Sequence, residues 1–248
     1  DYGHRHDMPR TPRRRVERST VTIAYPGTAL SEEVYQPQQD SELLVEAMRR
    51  TALIPQRRVL DLCTGSGFVA IAAAEMGCAS VTAFDICPHA VRCSQGNAAF
   101  AGVDVDVREG SWTRALDCDP FDVVVSNPPY VPAPPDGIAA EDIPPSAGPS
   151  WAWNAGPDGR LVLDPLCEAA SNLLCDGGSI LLVQSAFAGV MRSLDRLRST
   201  GLSADVIACQ RIPFGPVLTA RAGWLEKTGR LRRGCREEQI VVIRADKR

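Results

Sequence analysis

The sequence lacks the features that mark membrane-spanning and exported proteins. It has no continuous apolar run near the roughly 18 residues that a membrane helix requires, and its first residues do not follow the charged, apolar and small order of a secretory signal. With 27 Lys+Arg against 30 Asp+Glu, its formal charge of −3 argues against a generally basic nucleic-acid binder. We therefore expect a cytoplasmic protein with no membrane partner, for which nucleic acid is a less favoured substrate than a protein or a small molecule.

Metal-binding patterns are also scarce. The chain has only three histidines, His4, His6 and His89, and the first two lie in a polar stretch. Its nine cysteines include no C-x-x-C pair with the spacing of metal ligands. The sequence thus predicts no metal site and no Ser-His-Asp triad, and most cysteines are expected to be reduced, small core residues.

Proline and arginine, by contrast, are concentrated in particular segments. Eight of the 19 prolines lie between Pro128 and Pro149, which predicts a long functional loop. Residues 1–20 carry six arginines and few apolar side chains, which predicts a flexible basic tail. The remaining residues, 21–248, are numerous and apolar enough to form a single domain.

Short β-branched runs alternate with Ala-rich stretches, a pattern typical of βα units around a parallel sheet. Asp40 is expected to cap a first helix whose Leu43, Leu44, Ala47 and Met48 share a face. The predicted strands cover 58–62, 80–85, 103–108, 121–126, 178–184, 203–211 and 238–245. The further predicted helices cover about 68–76, 88–101, 159–175 and 188–200. This is an α/β fold with an open sheet whose final hairpin leaves room for an antiparallel strand.

The first predicted strand runs into a glycine turn, residues 63–67, where backbone can approach a ligand closely. Gly65, Gly67 and Ala70 satisfy the dinucleotide pattern G-x-G-x-x-G/A, so a nicotinamide cofactor is one interpretation. However, Asp61 on the strand before the turn would repel a pyrophosphate and suits a cationic ligand better. S-adenosylmethionine meets that requirement because it carries a sulfonium and an ammonium group.

Two further strand ends carry residues suited to an adenosyl group. Asp85 ends the second strand, where a carboxylate can accept hydrogen bonds from both ribose hydroxyls. The alternative is that Asp85 caps the helix that follows. Ser111 and Trp112 follow the third strand at the expected adenine rim, where Trp112 would either stack on the base or serve plain packing.

The tetrapeptide Asn127-Pro128-Pro129-Tyr130 directly follows the fourth predicted strand. Two successive prolines remove two N–H donors, so the Pro128 carbonyl has no ladder partner and needs a donor. Together with the Asn127 side-chain oxygen it can accept both hydrogens of an –NH2 group. These two hydrogen bonds favour a pyramidal nitrogen whose lone pair can attack a methyl group. Tyr130 offers an aromatic face to a planar substrate. The alternative is an ordinary strand-ending turn.

Together these motifs resemble class I S-adenosylmethionine-dependent methyltransferases, specifically the HemK/PrmC-like protein-glutamine methyltransferases. The resemblance rests on VLDLCTGSGFVAIAAA, AFDICPHAV and FDVVVSNPPYVP, and on a Trp-x-Trp-x-Ala-Gly-Pro-Asp-Gly-Arg segment at 151–160. Residues 34–41, VYQPQQDS, are similar to the segment before the sheet in the short archaeal and eukaryotic branch, which lacks an N-terminal helical domain. Over residues 33–245 the resemblance implies a Rossmann-like class I fold, with a seven-stranded, mostly parallel sheet and helices on both faces.

The resemblance also implies roles for the motif residues. Asn127 and the Pro128 carbonyl would hold the substrate amide, with Pro129 in the same turn and Tyr130 shaping the pocket. The expected cofactor-binding residues are Asp61, Cys63, Thr64, Gly65, Gly67, Asp85, Ile86, Ser111, Trp112 and Asn127, with S-adenosylmethionine as cofactor. Ser111 departs from the family, where an acid usually binds the adenine amine, but a hydroxyl can also accept that bond. The family methylates the glutamine of a Gly-Gly-Gln motif in peptide release factors, and its short members work with a small zinc-binding activator subunit.

Several other functions remain open from the sequence. The same tetrapeptide occurs in adenine N6-methyltransferases acting on DNA or RNA, and arginines at 230, 232, 233 and 236 keep a nucleic-acid substrate open. Lysine methylation, a cofactor-binding scaffold and a nicotinamide-dependent dehydrogenase are further alternatives. The stretch 212–217 and Arg221 belong to no motif and are expected to form a loop and helix beside the last strands.

Overall fold

The protein is described here by a computed structural model covering residues 34–135 and 143–248. The predicted basic tail, residues 1–20, lies outside the described residues, and so does the middle of the proline-rich loop, residues 136–142. The division into a tail and a single domain therefore stays a prediction. Within the two described ranges, no helix has the combination of length and apolarity needed to cross a bilayer.

The described residues form one seven-stranded sheet flanked by six α-helices. The strands are β1 (Arg58–Leu62), β2 (Ser80–Asp85), β3 (Asp106–Glu109), β4 (Phe121–Ser126), β5 (Leu174–Ser185), β6 (Ser203–Pro213) and β7 (Glu237–Asp246). The helices are α1 (Gln39–Thr51), α2 (Phe68–Glu75), α3 (Pro88–Ala101), α4 (Leu163–Leu173), α5 (Val190–Ser199) and α6 (Pro216–Lys227). The strand order is β3-β2-β1-β4-β5-β7-β6, and β7 runs antiparallel to both of its neighbours. The predicted mostly parallel, seven-stranded sheet is confirmed.

Side-chain alternation along the central strands builds a separate core on each face of this sheet. On β4, Val124 packs on one face, while Val123 and Val125 pack on the other. The helices α1, α2 and α3 cover the Val123 face, and α4, α5 and α6 cover the Val124 face. Because both faces are covered, the central strands are apolar on both sides.

Three predicted elements have different bounds in the structure. The third strand begins at Asp106 instead of residue 103, because Gly102 takes a left-handed conformation and the Val103 N–H bonds back to the Ala98 carbonyl at 3.1 Å. The fourth predicted helix, 159–175, is confined to Leu163–Leu173, and the strand predicted over 178–184 begins at Leu174 as β5. Both changes follow from the pairing of Leu174 with Phe121 of β4. The loop and helix expected after residue 212 are found at the end of β6 and in α6.

The glycine turn brings α2 very close to α3. Gly67 is the N-cap of α2 with a φ of 82°, in the left-handed region that glycine tolerates best. A Cβ atom on Gly67 would overlap the Ser94 hydroxyl and lie 3.1 Å from the Ser94 Cβ atom. Ser94 is fully buried, so little space exists for it to move.

We therefore predict that Gly67→Ala lowers the free energy of unfolding by about 2 kcal/mol, through backbone strain and overlap with Ser94. The measurement is urea denaturation. Gly96→Ala is the control, because Gly96 lies exposed in α3 with nothing within 4 Å of an added Cβ atom; it should stabilise the protein by about 0.5–1 kcal/mol. Equal stability of the Gly67 variant and the wild type would contradict the packing described here.

Candidate active site

A cleft of about 410 Å³ opens at the carboxyl ends of β1, β2 and β4, which are neighbours in the sheet. Open α/β sheets place ligands at this edge. Nine residues that the sequence predicted for the site line this cleft: Asp61, Cys63, Thr64, Gly65, Asp85, Ile86, Trp112, Asn127 and Pro129. The parallel direction of these strands explains why motifs more than 60 residues apart meet here.

Four other predicted site residues are not among the cleft-lining ones. Gly67 packs against α3, and the Ser111 hydroxyl accepts the Thr113 N–H at 3.3 Å to cap the short helix Trp112–Asp117. Pro128 is buried, and no described residue donates to its carbonyl oxygen. Tyr130 was expected to face a substrate, but its side chain is only 8% exposed and lies in the core behind the cleft.

Asp85 is held rigidly by the glycine turn and the start of α3. Its Oδ2 atom accepts the Gly65 N–H at 2.9 Å, and its Oδ1 atom accepts the Cys87 N–H at 2.9 Å. Cys63 and Gly65 both have positive φ, which folds the turn tightly enough to bring these groups together. Burial raises the Asp85 pKa, and the backbone N–H groups oppose that rise. Each carboxylate oxygen retains a lone pair for a further donor in the cleft.

Asp61 forms the buried end of the cleft beneath the same turn. It is 1% exposed, and its Oδ2 atom accepts the Thr64 hydroxyl at 2.6 Å. Burial raises its pKa to about 7, and the nearby negative charge of Asp85 adds to this rise. An acidic pair of this kind repels phosphate and favours a cation, so the described residues fit the sulfonium and ammonium groups of S-adenosylmethionine.

The Asn127 side chain is oriented by α1. Its Nδ2 atom donates to the Ser41 hydroxyl at 3.1 Å, and Ser41 also lines the cleft. The Ser41 hydroxyl has its own acceptor in Asp40 Oδ1, at 3.4 Å. With the amide nitrogen used in this way, the Asn127 Oδ1 atom is the side-chain atom left to accept a hydrogen bond.

Asp40 does not cap α1, as the sequence suggested, because the helix begins at Gln39 and its N-cap is Gln38. Instead its buried carboxyl group links α1 to the turn after β4. The Oδ2 atom accepts hydroxyl groups from Tyr130 at 2.8 Å and from Tyr35 at 3.0 Å. Burial raises the pKa of both tyrosines, so both keep their protons and act as donors. Tyr130 therefore attaches the turn to α1 through its hydrogen bond to Asp40.

The tryptophan-rich segment, residues 151–160, follows the proline-rich loop and bonds to the chain just after the turn. Val131 donates its N–H to Trp153 at 3.0 Å and accepts the Ala155 N–H at 3.1 Å. Gly159, with a φ of 76°, lies so close to the Tyr130 carbonyl that a Cβ atom would overlap it. Trp151 and Asn154 of this segment line the cleft, as Pro129 does.

Reasoning from the sequence missed other residues that line the cleft, among them Ser41, Asn154 and Leu161. Ser41 lies in the VYQPQQDS segment, whose resemblance to relatives was its only signal. Asn154 occupies an undefined position of the Trp-x-Trp-x-Ala-Gly-Pro-Asp-Gly-Arg pattern, and Leu161 follows the last residue of that pattern. The pairing of Val131 with Asn154 joins this segment to the chain just after the turn, and no local pattern encodes that pairing.

Comparison with known proteins agrees with this geometry. The family described as methyltransferase small domain matches residues 35–138. A release factor glutamine methyltransferase of Bordetella pertussis is 34% identical over 195 residues, covering 75% of this chain and 71% of that protein. A protein named as an N5-glutamine methyltransferase, from Methanocaldococcus jannaschii, is 29% identical over 193 residues, covering 78% of this chain and 93% of its own length.

Solved structures support the fold. The E. cuniculi Mtq2-Trm112 complex, described as responsible for methylation of the translation termination factor eRF1, aligns with a TM-score of 0.58 at 21% identity. The alignment covers 87% of this chain and 99% of that one. The chain thus belongs to the release factor glutamine methyltransferase family of S-adenosylmethionine-dependent enzymes.

Proposed function

We propose that the protein methylates the side-chain amide nitrogen of a glutamine in a peptide release factor. The observation that carries this proposal is the pair of acceptors at the turn after β4, the Asn127 Oδ1 atom and the Pro128 carbonyl oxygen. Relatives named as protein-glutamine or release factor glutamine methyltransferases support the choice of acceptor. When bound, S-adenosylmethionine supplies an electrophilic methyl group on its sulfonium.

The cofactor is proposed to lie along the glycine turn. Asp85, fixed by two backbone N–H groups, would accept the ribose hydroxyls, and Asp61 would attract the ammonium group. Trp112 and Ile86 would flank the adenine. Cys63, Thr64 and Gly65 supply the closely approaching backbone of the turn. Gly67 and Ser111 would act indirectly, by packing α2 on α3 and by capping the short helix that carries Trp112.

The substrate nitrogen is a weak nucleophile because its lone pair is delocalised into the amide. Asn127 and the Pro128 carbonyl would accept one N–H bond each, which favours a pyramidal nitrogen. As positive charge grows on that nitrogen, both hydrogen bonds strengthen, so they stabilise the transition state more than the ground state. Pro129 and the buried Tyr130 stiffen the turn that carries both acceptors. The surplus proton leaves the nitrogen after transfer, without a dedicated base.

Nucleic acid is the less favoured acceptor. Two of the four arginines at 230–236 make contacts within the fold. Arg230 stacks over Trp224 at 5.5 Å, and Arg236 pairs with Glu226 at 2.6 Å. The cleft itself contains Asp61 and Asp85, whose charge opposes an approaching phosphate backbone. Exposed Trp151 at the cleft instead suits a protein segment.

A tritiated-methyl assay comparing a release factor, histone-like proteins and ribosomal RNA tests the acceptor. We expect incorporation into the release factor and its loss when the Gly-Gly-Gln glutamine is changed to alanine. The zinc-binding activator subunit stays a prediction of the family resemblance, so the assay is run with and without such a subunit. Labelling of RNA or of lysine in the histone-like proteins, with none in the release factor, would overturn the proposal.

We predict that Asn127→Ala lowers the methylation rate at least 100-fold, because one of the two acceptors for the substrate N–H bonds is lost. Its affinity for S-adenosylmethionine should stay within about threefold of the wild type in calorimetry. Asn172→Ala, an exposed position in α4, is the control and should keep full activity. Continued methylation of a Gly-Gly-Gln release factor by the Asn127 variant would refute the proposed hydrogen bond from the substrate amide to Asn127.

We also predict that S-adenosylmethionine binds more weakly as the pH falls below 7. The ammonium group needs the ionised form of Asp61, and burial raises the Asp61 pKa to about 7. Affinity should therefore drop about tenfold between pH 7 and pH 5.5, with uptake of a proton by the free protein. Asp61→Asn should bind weakly with little pH dependence.

Calorimetry across this pH range checks the effect. Glu238 is the matched control, because burial also raises its pKa to about 7 but it does not line this cleft. Glu238→Gln should keep the pH dependence. If it removed the dependence instead, Asp61 would not be the titrating group.

A further inference from the structure

Arg221 of α6 is a buried cation beside the active-site turn. It is 4% exposed, and no described residue supplies a carboxylate to pair with it. Its guanidinium stacks over the Trp153 ring at 4.8 Å and donates through Nη1 to the Pro132 carbonyl at 2.7 Å. Burial lowers the pKa of Arg221 to about 10, so it stays charged at neutral pH.

The remaining partner of this guanidinium is Asn154. Arg221 Nη2 donates to the Asn154 Oδ1 atom. A guanidinium has only donors, so the amide must turn its oxygen toward Arg221 and its NH2 group away from it. No described residue accepts a hydrogen bond from that NH2 group, and Asn154 lines the cleft.

The bridge between Asn154 and Val131 places Asn154 beside the residue that directly follows the turn Asn127–Tyr130. Asn154, Asn127 and Pro129 all line the cleft. The cleft thus offers Asn127 Oδ1 as an acceptor and the NH2 group of Asn154 as a donor whose orientation is imposed by Arg221, with the Pro128 carbonyl of the turn as the proposed second acceptor. A primary amide has the complementary set, with two N–H donors and one carbonyl acceptor.

We propose that Asn154 orients the substrate by donating a hydrogen bond from Nδ2 to the carbonyl oxygen of the glutamine side chain, with Arg221 as the residue that positions Asn154. This inference rests on the proposed glutamine substrate. The contact suits an amide, whereas the amine of a lysine side chain offers no neighbouring acceptor. It adds a substrate-binding residue to the two acceptors of the turn.

The carbonyl contact affects binding and catalysis differently. A planar amide carries most of its negative charge on oxygen, and that charge decreases as the nitrogen lone pair turns toward the methyl group. The Asn154 hydrogen bond is therefore at least as strong in the bound ground state as in the transition state. Its loss should raise KM for the protein substrate and leave kcat nearly unchanged.

The decisive variant is Asn154→Asp, which keeps an acceptor for Arg221 but has no N–H donor for the cleft. We expect KM for the release factor to rise at least tenfold, about the contribution of one hydrogen bond plus the repulsion of two acceptors. The kcat value should stay within threefold. Unfolding in urea should show unchanged or increased stability, because the Arg221 contact becomes charged on both sides.

Asn154→Ala separates loss of the donor from the added charge and should raise KM severalfold. Asn172→Asp in α4 is the control for an added carboxylate elsewhere. A normal KM in either Asn154 variant would overturn the inference, since Asn154 would then serve only as an anchor for Arg221. A weakening of S-adenosylmethionine binding that matches the rise in KM would also overturn it, by placing the contact on the cofactor.

The activity of the wild-type enzyme on the release factor distinguishes failure of this inference from failure of the proposed function. If the wild-type enzyme fails to methylate the release factor with or without an activator subunit, the proposed substrate is wrong. If the wild type is active and the Asn154 variants show the wild-type KM, only the role of Asn154 is wrong.

Discussion

The geometry of the active-site turn depends on a general constraint, that buried polar groups must find partners. The Asp40 carboxyl group is buried behind the turn after β4, and the hydroxyls of Tyr130 and Tyr35 satisfy it. Removing the Asp40 carboxyl group would leave the buried Tyr130 hydroxyl without its acceptor. The turn is therefore held to α1 by interactions that are costly to break, and Asn127 is carried at its start.

A second buried polar group acts from the opposite side. Arg221 contacts Pro132, just beyond the turn, and its planar guanidinium stacks on Trp153. The two sides share a feature: Asp40 acts through Ser41 on the amide of Asn127, and Arg221 acts directly on the amide of Asn154. A side-chain amide can present either a donor or an acceptor, and its hydrogen-bonded neighbour decides which one. The fold uses this property twice at the edge of one cleft.

The electrostatic character of the cleft separates two kinds of ligand. Asp61 and Asp85 lie together at the end of the sheet, where burial makes their negative charges unfavourable without a cation. A cationic cofactor relieves that cost, while a phosphate would increase it. The same glycine turn in a nicotinamide enzyme serves a pyrophosphate, so the acid on β1 distinguishes the two uses of one backbone shape.

The sequence by itself determined the sheet, most of its strands, the cofactor end and the Asn127 turn, because apolar alternation and glycine or proline positions are local properties of the chain. It did not determine that Tyr130 faces away from the cleft or that Ser41, Asn154 and Arg221 meet near it. Those outcomes depend on which segments, more than 60 residues apart along the chain, satisfy each other's buried hydrogen bonds. Only the tertiary structure decides that pairing, since many donors and acceptors in the sequence are chemically equivalent until packing selects among them.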